Sequence, residues 1–154
     1  AGRLPFGVPS SPGRRFRDKL PAMSVNRFAR TRQDHSRETA EDYVEMIDAL
    51  ILERGEARAV DLAERLDISA VTVSKTLQRL QREGFVTAQP YRSVFLTDEG
   101  RALAAASRER HAMVLRFLAK LGVPPDVAEI DAEGIEHHVS DQTLNAMRRF
   151  VGES

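Results

Sequence analysis

The chain has 154 residues, of which 42% are hydrophobic and 30% charged, so it can bury one small core with a helical extension but not two large domains. It contains no cysteine, which excludes thiolate zinc sites, iron–sulfur clusters and disulfides. The formal net charge is zero, and no apolar run approaches the about 18 residues that a membrane span needs, so we expect a cytoplasmic protein.

Basic and acidic residues are unevenly distributed along the chain. Residues 1–33 contain eight basic side chains and one acidic side chain, together with several prolines and no sustained apolar period. This composition predicts a basic, disordered N-terminal arm over residues 1–35. Residues 126–141, in contrast, contain six acidic residues and no Lys or Arg. We expect this acidic stretch to bind something positively charged.

Three helices are predicted in the first half of the chain. Apolar residues recur at helical spacing from residue 38 to residue 54, which predicts the first helix. A short helix over 59–66 and a longer one over 69–83 follow after a tight turn. Ser69 has the side chain of a good N-cap for the longer helix. The last two helices have the lengths and the short connection of a helix-turn-helix.

A β-hairpin is predicted directly after these helices. Two short β-like runs, 85–88 and 94–97, are separated by a polar and basic segment. A hairpin that follows a helix-turn-helix is the wing of a winged helix-turn-helix. We therefore predict a DNA-binding domain over residues 36–98.

The rest of the chain is predicted to be helical. A long helix is indicated over 98–120, another from the two prolines at 124 and 125 to about 139, and a last one after Ser140. These helices carry more apolar surface than a small winged domain can cover, so we expect a homodimer. The predicted fold class is therefore mainly α with a small β-hairpin, with a helical dimerisation domain over 99–154.

The second helix of the predicted motif carries polar and basic side chains opposite its apolar stripe. A helix in the major groove of DNA needs such side chains, because they form hydrogen bonds with base edges and phosphates. Gln78 suits an adenine edge, and Lys75 suits guanine or a phosphate. The alternative is a merely solvated helix face. The candidate DNA-binding residues are Thr72, Ser74, Lys75, Gln78, Arg79 and, on the wing, Arg92.

A cluster of carboxylates and histidines lies within the acidic stretch. In the run Asp-Ala-Glu-Gly-Ile-Glu-His-His, Glu133, Glu136 and His137 stand at positions i, i+3 and i+4 of a helix. Their side chains therefore project from one face, within reach of one metal ion. His138 points about 100° away from His137. The alternative is a solvated acidic helix.

Two other helices offer further ligands. Asp42 and Glu45 are three residues apart beside the apolar stripe of the first helix, and His111 lies midway along the long helix. Asp42, Glu45 and the two glutamates of the cluster carry four negative charges, which two divalent ions would neutralise. Without metal these carboxylates repel each other, which could supply the conformational coupling of a sensor.

Two other functions remain open from the residues alone. Clustered Glu and His side chains also form di-metal enzymes, although the Glu-x-x-His signature is absent, because Gly134 and Ile135 stand three residues before the two histidines. A winged-helix regulator could instead sense an organic ligand.

These elements together resemble the manganese transport regulator branch of the diphtheria toxin repressor family. The resemblance covers about residues 36–151. It departs from the family at Ala70 and Val71, where relatives often have Pro or polar residues, so the operator sequence cannot be transferred. Its most specific stretches are Glu41-Asp42-Tyr43-Val44-Glu45, Tyr91-Arg92-Ser93-Val94-Phe95-Leu96-Thr97 and Asp131-Ala132-Glu133-Gly134-Ile135-Glu136-His137-His138-Val139-Ser140.

The resemblance implies a repressor of manganese uptake genes that binds a palindromic operator as a homodimer when it holds Mn²⁺. The family's iron-sensing branch has sulfur-bearing residues at the places of Asp42 and Glu136, whereas oxygen ligands suit Mn²⁺ better than Fe²⁺. Sensing of Fe²⁺ is the alternative within the family. The resemblance implies a site for two Mn²⁺ ions per subunit, formed by Asp42, Glu45, His111, Glu133, Glu136 and His137.

Overall fold

A computed structural model describes residues 27–88 and 92–152. Most of the predicted N-terminal arm and residues 89–91 at the tip of the predicted hairpin lie outside the described residues. None of the helices within the two described ranges is long and apolar enough to cross a membrane.

Six helices and one two-stranded antiparallel sheet form this part of the chain. The prediction of a mainly α fold with a small β-hairpin is confirmed. The elements follow one another as α1 Arg27–Arg54, α2 Ala59–Arg65, α3 Ala70–Arg82, β1 Val86–Thr87, β2 Phe95–Leu96, α4 Asp98–Lys120, α5 Pro125–Glu136 and α6 Asp141–Val151.

The first helix begins earlier than the sequence predicts. It starts at Arg27, so residues 27–35, which were assigned to the arm, form its first turns. Residues 32–35 are exposed, and a helix that buries nothing leaves no apolar period to detect. Near the start of the predicted helix, the hydroxyl of Thr39 donates a hydrogen bond to the carbonyl of His35 (2.7 Å), one turn earlier in α1.

The first core joins α1, α2, α3 and the sheet. Its fully buried side chains include Ile47 of α1, Leu62 of α2 and Leu80 of α3. The sheet is short, with Val86 paired to Leu96, and it is extended by a bridge between the loops at residues 57 and 94. This arrangement fixes α3 against the wing.

The long helix α4 connects this core to the rest of the molecule. It packs against α1, α5 and α6. Its second half forms a separate apolar cluster with α5, which includes Val114 and Ala132. The predicted end of α5 at about residue 139 is wrong, because the helix ends at Glu136. His137 keeps helical backbone angles as the C-cap, so it still lies on the same face as Glu133 and Glu136.

We expect Gly100→Ala to destabilise the protein by about 1–3 kcal/mol, because a Cβ at this position has no room. It would lie 2.0 Å from the carbonyl oxygen of Phe85, which is backbone and cannot rotate away. Urea unfolding measures the loss. Gly134→Ala is the matched control, since a Cβ there meets nothing within 4 Å in a helix of the same domain. Equal stability of the two variants would contradict the close approach of α4 to Phe85.

Candidate metal centre and nucleic-acid interface

Three helices bring five of the six predicted metal ligands to one place. Asp42 comes from the middle of α1, His111 from the middle of α4, and Glu136 from the last turn of α5. The packing of α4 against both α1 and α5 makes this meeting possible. The site therefore lies where the first core adjoins the C-terminal helices.

One half of the cluster is formed around His111. Its Nδ1 lies 2.5 Å from Oε2 of Glu136 and 3.8 Å from Oε1 of Glu133. Each of the three residues offers a ligand atom within 4.8 Å of the other two. A single ion could contact all three.

The other half is formed around His137. Its Nε2 lies 3.4 Å from Oδ1 of Asp42 and 3.4 Å from Oε1 of Glu136. Glu136 thus belongs to both halves, with one carboxylate oxygen facing each imidazole. The side chains of Glu136 and His137 are each only 5% exposed, while that of Asp42 is half-exposed.

Glu45 is the one predicted ligand that stands apart. It is half-buried, and no hydrogen bond or ion pair joins it to the other five within the described ranges. Its charge still acts on the site. Partial burial raises the pKa of Asp42 to about 6, with the charges of Glu38, Glu45 and Glu133 adding to the effect and His137 opposing it.

The donor set fits a divalent cation. It offers carboxylate oxygens and two imidazoles, which suit Mn²⁺ and similar hard or borderline ions. Burial raises the pKa of Glu136 despite the nearby His111. Burial alone would lower the pKa of His111 and His137, but the carboxylates around each ring outweigh it and raise both values. Without a metal, the surrounding carboxylates thus favour the protonated, positively charged form of both imidazoles.

Sequence reasoning missed two carboxylates that contact the histidines. Glu41 is buried, and its Oε2 lies 2.9 Å from Nδ1 of His137. Glu129 is exposed, and its Oε2 lies 3.4 Å from Nε2 of His111. Glu129 stands four residues before Glu133, one helical turn, which is a usable signal. Glu41 and His137 are 96 residues apart in the sequence, so no spacing rule predicts their contact. The only signal for Glu41 is its place in the first specific stretch of the resemblance.

The helix α3 presents its polar side chains to solvent as predicted. Ser69 is the N-cap, accepting a hydrogen bond from the backbone N–H of Thr72 (3.2 Å). The hydroxyl of Thr72 also lies 2.9 Å from that of Ser69, so it is partly engaged in the cap. The exposed candidates on this helix are Thr72, Ser74, Lys75 and Gln78.

Arg79 does not project with the other candidates. Its guanidinium donates a hydrogen bond to Ser36 of α1 and lies 3.9 Å from the carboxylate of Glu83. The extension of α1 to Arg27, which the sequence did not predict, provides this contact. On the wing, Arg92 is exposed and lines a cleft with Arg58, and its phosphate contact stays a prediction.

Family comparison covers nearly the whole of the described chain. Residues 35–94 match the model "Iron dependent repressor, N-terminal DNA binding domain". Residues 97–154 match the model "Iron dependent repressor, metal binding and dimerisation domain". The candidate ligands Asp42 and Glu45 lie in the first range, and the other four lie in the second.

Two curated bacterial relatives are similar over most of their length. The transcriptional regulator MntR of Salmonella typhimurium (strain LT2) is 54% identical over 127 residues, covering 82% of this chain and 81% of the relative. The HTH-type transcriptional regulator MntR of Listeria monocytogenes serotype 4b is 39% identical over 111 residues, covering 72% of this chain and 78% of the relative.

A solved structure supports the same relationship. The "Manganese-dependent transcriptional repressor complex with manganese" superimposes with a TM-score of 0.64 at 32% identity, over 75% of this chain and 53% of that one. The chain thus spans about half the length of that solved protein. From the two family models and the curated relatives, the chain belongs to the iron-dependent repressor family, named above as the diphtheria toxin repressor family, and within it to the manganese transport regulator branch.

Proposed function

We propose that this chain is a manganese-responsive transcriptional repressor that binds operator DNA as a homodimer in the cytoplasm. The observation that carries the proposal is the position of the ligand cluster. Asp42 belongs to the DNA-binding domain, and His111, Glu136 and His137 belong to the metal-binding and dimerisation domain. Asp42 contacts His137, and Glu136 contacts both His137 and His111. A cation held there would connect the two domains.

The proposed site holds two ions in each subunit. The contacts divide into a half around His111 and a half around His137, and Glu136 contributes one oxygen to each. Glu136 would therefore serve as a ligand in both halves of the site. The proposed ligands are the six predicted ones, and Glu45 would join the set from α1, where it stands three residues after Asp42.

The proposed switch acts through the position of the recognition helices. A metal ion held by ligands from α1, α4 and α5 would fix α1, and with it α3, relative to α4 and α5. In a homodimer this would hold the two α3 helices at the spacing of successive major grooves, about 34 Å or a multiple of it. A coupling free energy of about 1–3 kcal/mol is enough for a 5- to 150-fold change in affinity. We propose that the targets are palindromic operators of manganese uptake genes.

The C-terminal helices supply a surface for the second subunit. Four large apolar side chains of this region are at least 42% exposed, and a matching copy would cover them. They lie within the range of the family's dimerisation domain. These residues are Leu121, Val127, Ile130 and Phe150.

A DNA-binding assay with and without Mn²⁺ tests the proposal. We expect tight binding to operator DNA in the presence of Mn²⁺ and weak binding in its absence. A regulator of an organic ligand would respond equally in both conditions, and an iron sensor would respond to Fe²⁺ in preference to Mn²⁺. Membership of a repressor family excludes the di-metal enzyme that the residues alone left open.

We expect two DNA-contacting variants to fail in different ways. Gln78 is exposed on the recognition helix, so Gln78→Ala should relax the preference at one base pair of each half-site by about 1–3 kcal/mol. Arg92→Ala should weaken binding to every sequence alike and flatten its salt dependence, because a phosphate contact carries no sequence information. Anisotropy titrations against operators with single base changes separate the two. An unchanged base preference in Gln78→Ala would show that α3 faces the groove differently.

A further inference from the structure

We infer that Glu41 is a positioning residue of the metal centre, which holds the ring of His137 so that Nε2 is the atom offered to the metal. The inference rests on the proposed function, because it takes His137 as a ligand. Glu41 itself was not among the predicted ligands, and its side chain is wholly buried.

The two ring nitrogens of His137 face different partners. Nδ1 lies 2.9 Å from Oε2 of Glu41, while Nε2 lies 3.4 Å from Asp42 and 3.4 Å from Glu136. A neutral imidazole carries its proton on one nitrogen and binds metal through the other. A carboxylate that accepts a hydrogen bond from Nδ1 therefore selects Nε2 as the donor atom and fixes the plane of the ring.

Glu41 is suited to this role because its charge is secured by other side chains. Its Oε1 accepts hydrogen bonds from Nε of Arg37 (2.9 Å) and from Nη1 of Arg110 (3.1 Å). Both oxygens are engaged, which leaves Glu41 as a fixed anion beside the metal ligands.

The same carboxylate also connects three helices. Arg37 and Glu41 lie on α1, Arg110 lies on α4, and Nη1 of Arg110 also donates to the backbone carbonyl of Glu136 at the end of α5 (3.4 Å). The orientation of the His137 ring is thus tied to the position of α1, which belongs to the DNA-binding domain. The contact between Glu129 and His111 is a weaker counterpart, since it is longer and Glu129 is 64% exposed.

A double-mutant cycle with the full chain tests whether Glu41 acts through His137. Calorimetric titration with Mn²⁺ is carried out on the unaltered protein, Glu41→Gln, His137→Ala and the double variant. We expect Glu41→Gln to weaken Mn²⁺ binding about 10- to 100-fold. In the His137→Ala background the same change should have an effect of less than about threefold, because the ring that it positions is gone.

The matched control is Glu53→Gln on the same helix. Glu53 also forms an ion pair with an arginine, Arg65, but it is exposed and lies two to three turns beyond the cluster. We expect Mn²⁺ affinity to be unchanged in this variant. An equal loss from Glu41→Gln with and without His137 would show a purely structural effect and overturn the inference. If the unaltered protein bound no Mn²⁺, the proposed function itself would fail.

A second measurement needs no variant and covers the case in which Glu41→Gln does not fold. The side-chain nitrogens of His137 are observed by ¹⁵N NMR in the unaltered protein loaded with Zn²⁺, used because it is diamagnetic. We expect a protonated Nδ1 and a metal-bound Nε2. The reverse assignment, or a ring that binds no metal, would overturn the inference.

Discussion

Replacing Glu136 by alanine is expected to abolish the Mn²⁺ dependence of operator binding while the dimer persists. Glu136 is the carboxylate that both halves of the cluster share, with Oε2 2.5 Å from His111 and Oε1 3.4 Å from His137. Its loss should therefore weaken the binding of both proposed ions. The loss of affinity should exceed the about 10- to 100-fold that removal of a ligand's hydrogen-bond partner causes. Fluorescence anisotropy with labelled operator, titrated with Mn²⁺, measures the effect.

The dimer is expected to survive because the proposed interface is apolar and distinct from the ligands. Analytical ultracentrifugation of Glu136→Ala tests this directly. His138→Ala is the control, because His138 is adjacent in sequence but exposed beyond the end of α5. We expect it to keep most of the Mn²⁺ response. If operator binding by Glu136→Ala depended on Mn²⁺ as in the unaltered protein, the metal-sensor proposal would be refuted. The alternative, that the acidic helix is merely a solvated surface, would then hold.

Elements whose signals are local could be predicted from the sequence. The long helix has the predicted bounds, Asp98–Lys120, because its apolar spacing is contained in that segment of the sequence. Ser69, Thr97 and Ser140 are all observed as N-caps, each accepting a hydrogen bond from a backbone N–H three residues later. The family resemblance is confirmed by the family models and the curated relatives. It could be found in the sequence because its motifs are short and contiguous.

Features that depend on distant contacts could not be predicted. Glu41 contacts Arg110, which is 69 residues away, and His137, which is 96 residues away, and no spacing rule connects these positions. The hydrogen bond of Arg79 to Ser36 links residues 43 positions apart, and Ser36 lies before the predicted start of α1 at residue 38; the DNA contact of Arg79 stays a prediction. In both cases the packing of helices decided where a charged side chain points, which the sequence of one helix does not contain.

The candidate site likewise has a part with a local sequence signal and a part that depends on distant contacts. The set Glu133, Glu136 and His137 could be found from helical spacing, because all three lie on one helical face. That Asp42 joins this set depends on the packing of α1 against α4, and it was expected from the residues only as a possibility. The resemblance supplied what spacing could not, and the ligand roles themselves remain a prediction that the variants test.

Replacing Asp42 by methionine is expected to broaden the metal response towards Fe²⁺ and Co²⁺. The change removes one negative charge and one hard oxygen donor from the half of the cluster around His137, where Oδ1 lies 3.4 Å from Nε2. Mn²⁺ binding should fall by more than the about 10- to 100-fold that loss of a ligand's hydrogen-bond partner causes, because a ligand itself is removed. The thioether is a softer donor that suits metals later in the Irving–Williams order, so their binding should fall much less.

Asp42→Leu is the matched control for this change, since leucine is similarly apolar and bulky but offers no donor atom. Both variants should lose Mn²⁺ affinity, but only Asp42→Met should keep a response to Fe²⁺ or Co²⁺. The measurement is operator binding by anisotropy, titrated with each metal, with Fe²⁺ handled anaerobically. If the two variants respond alike to every metal, the sulfur at position 42 does not reach the ion, and selectivity is determined by the other ligands.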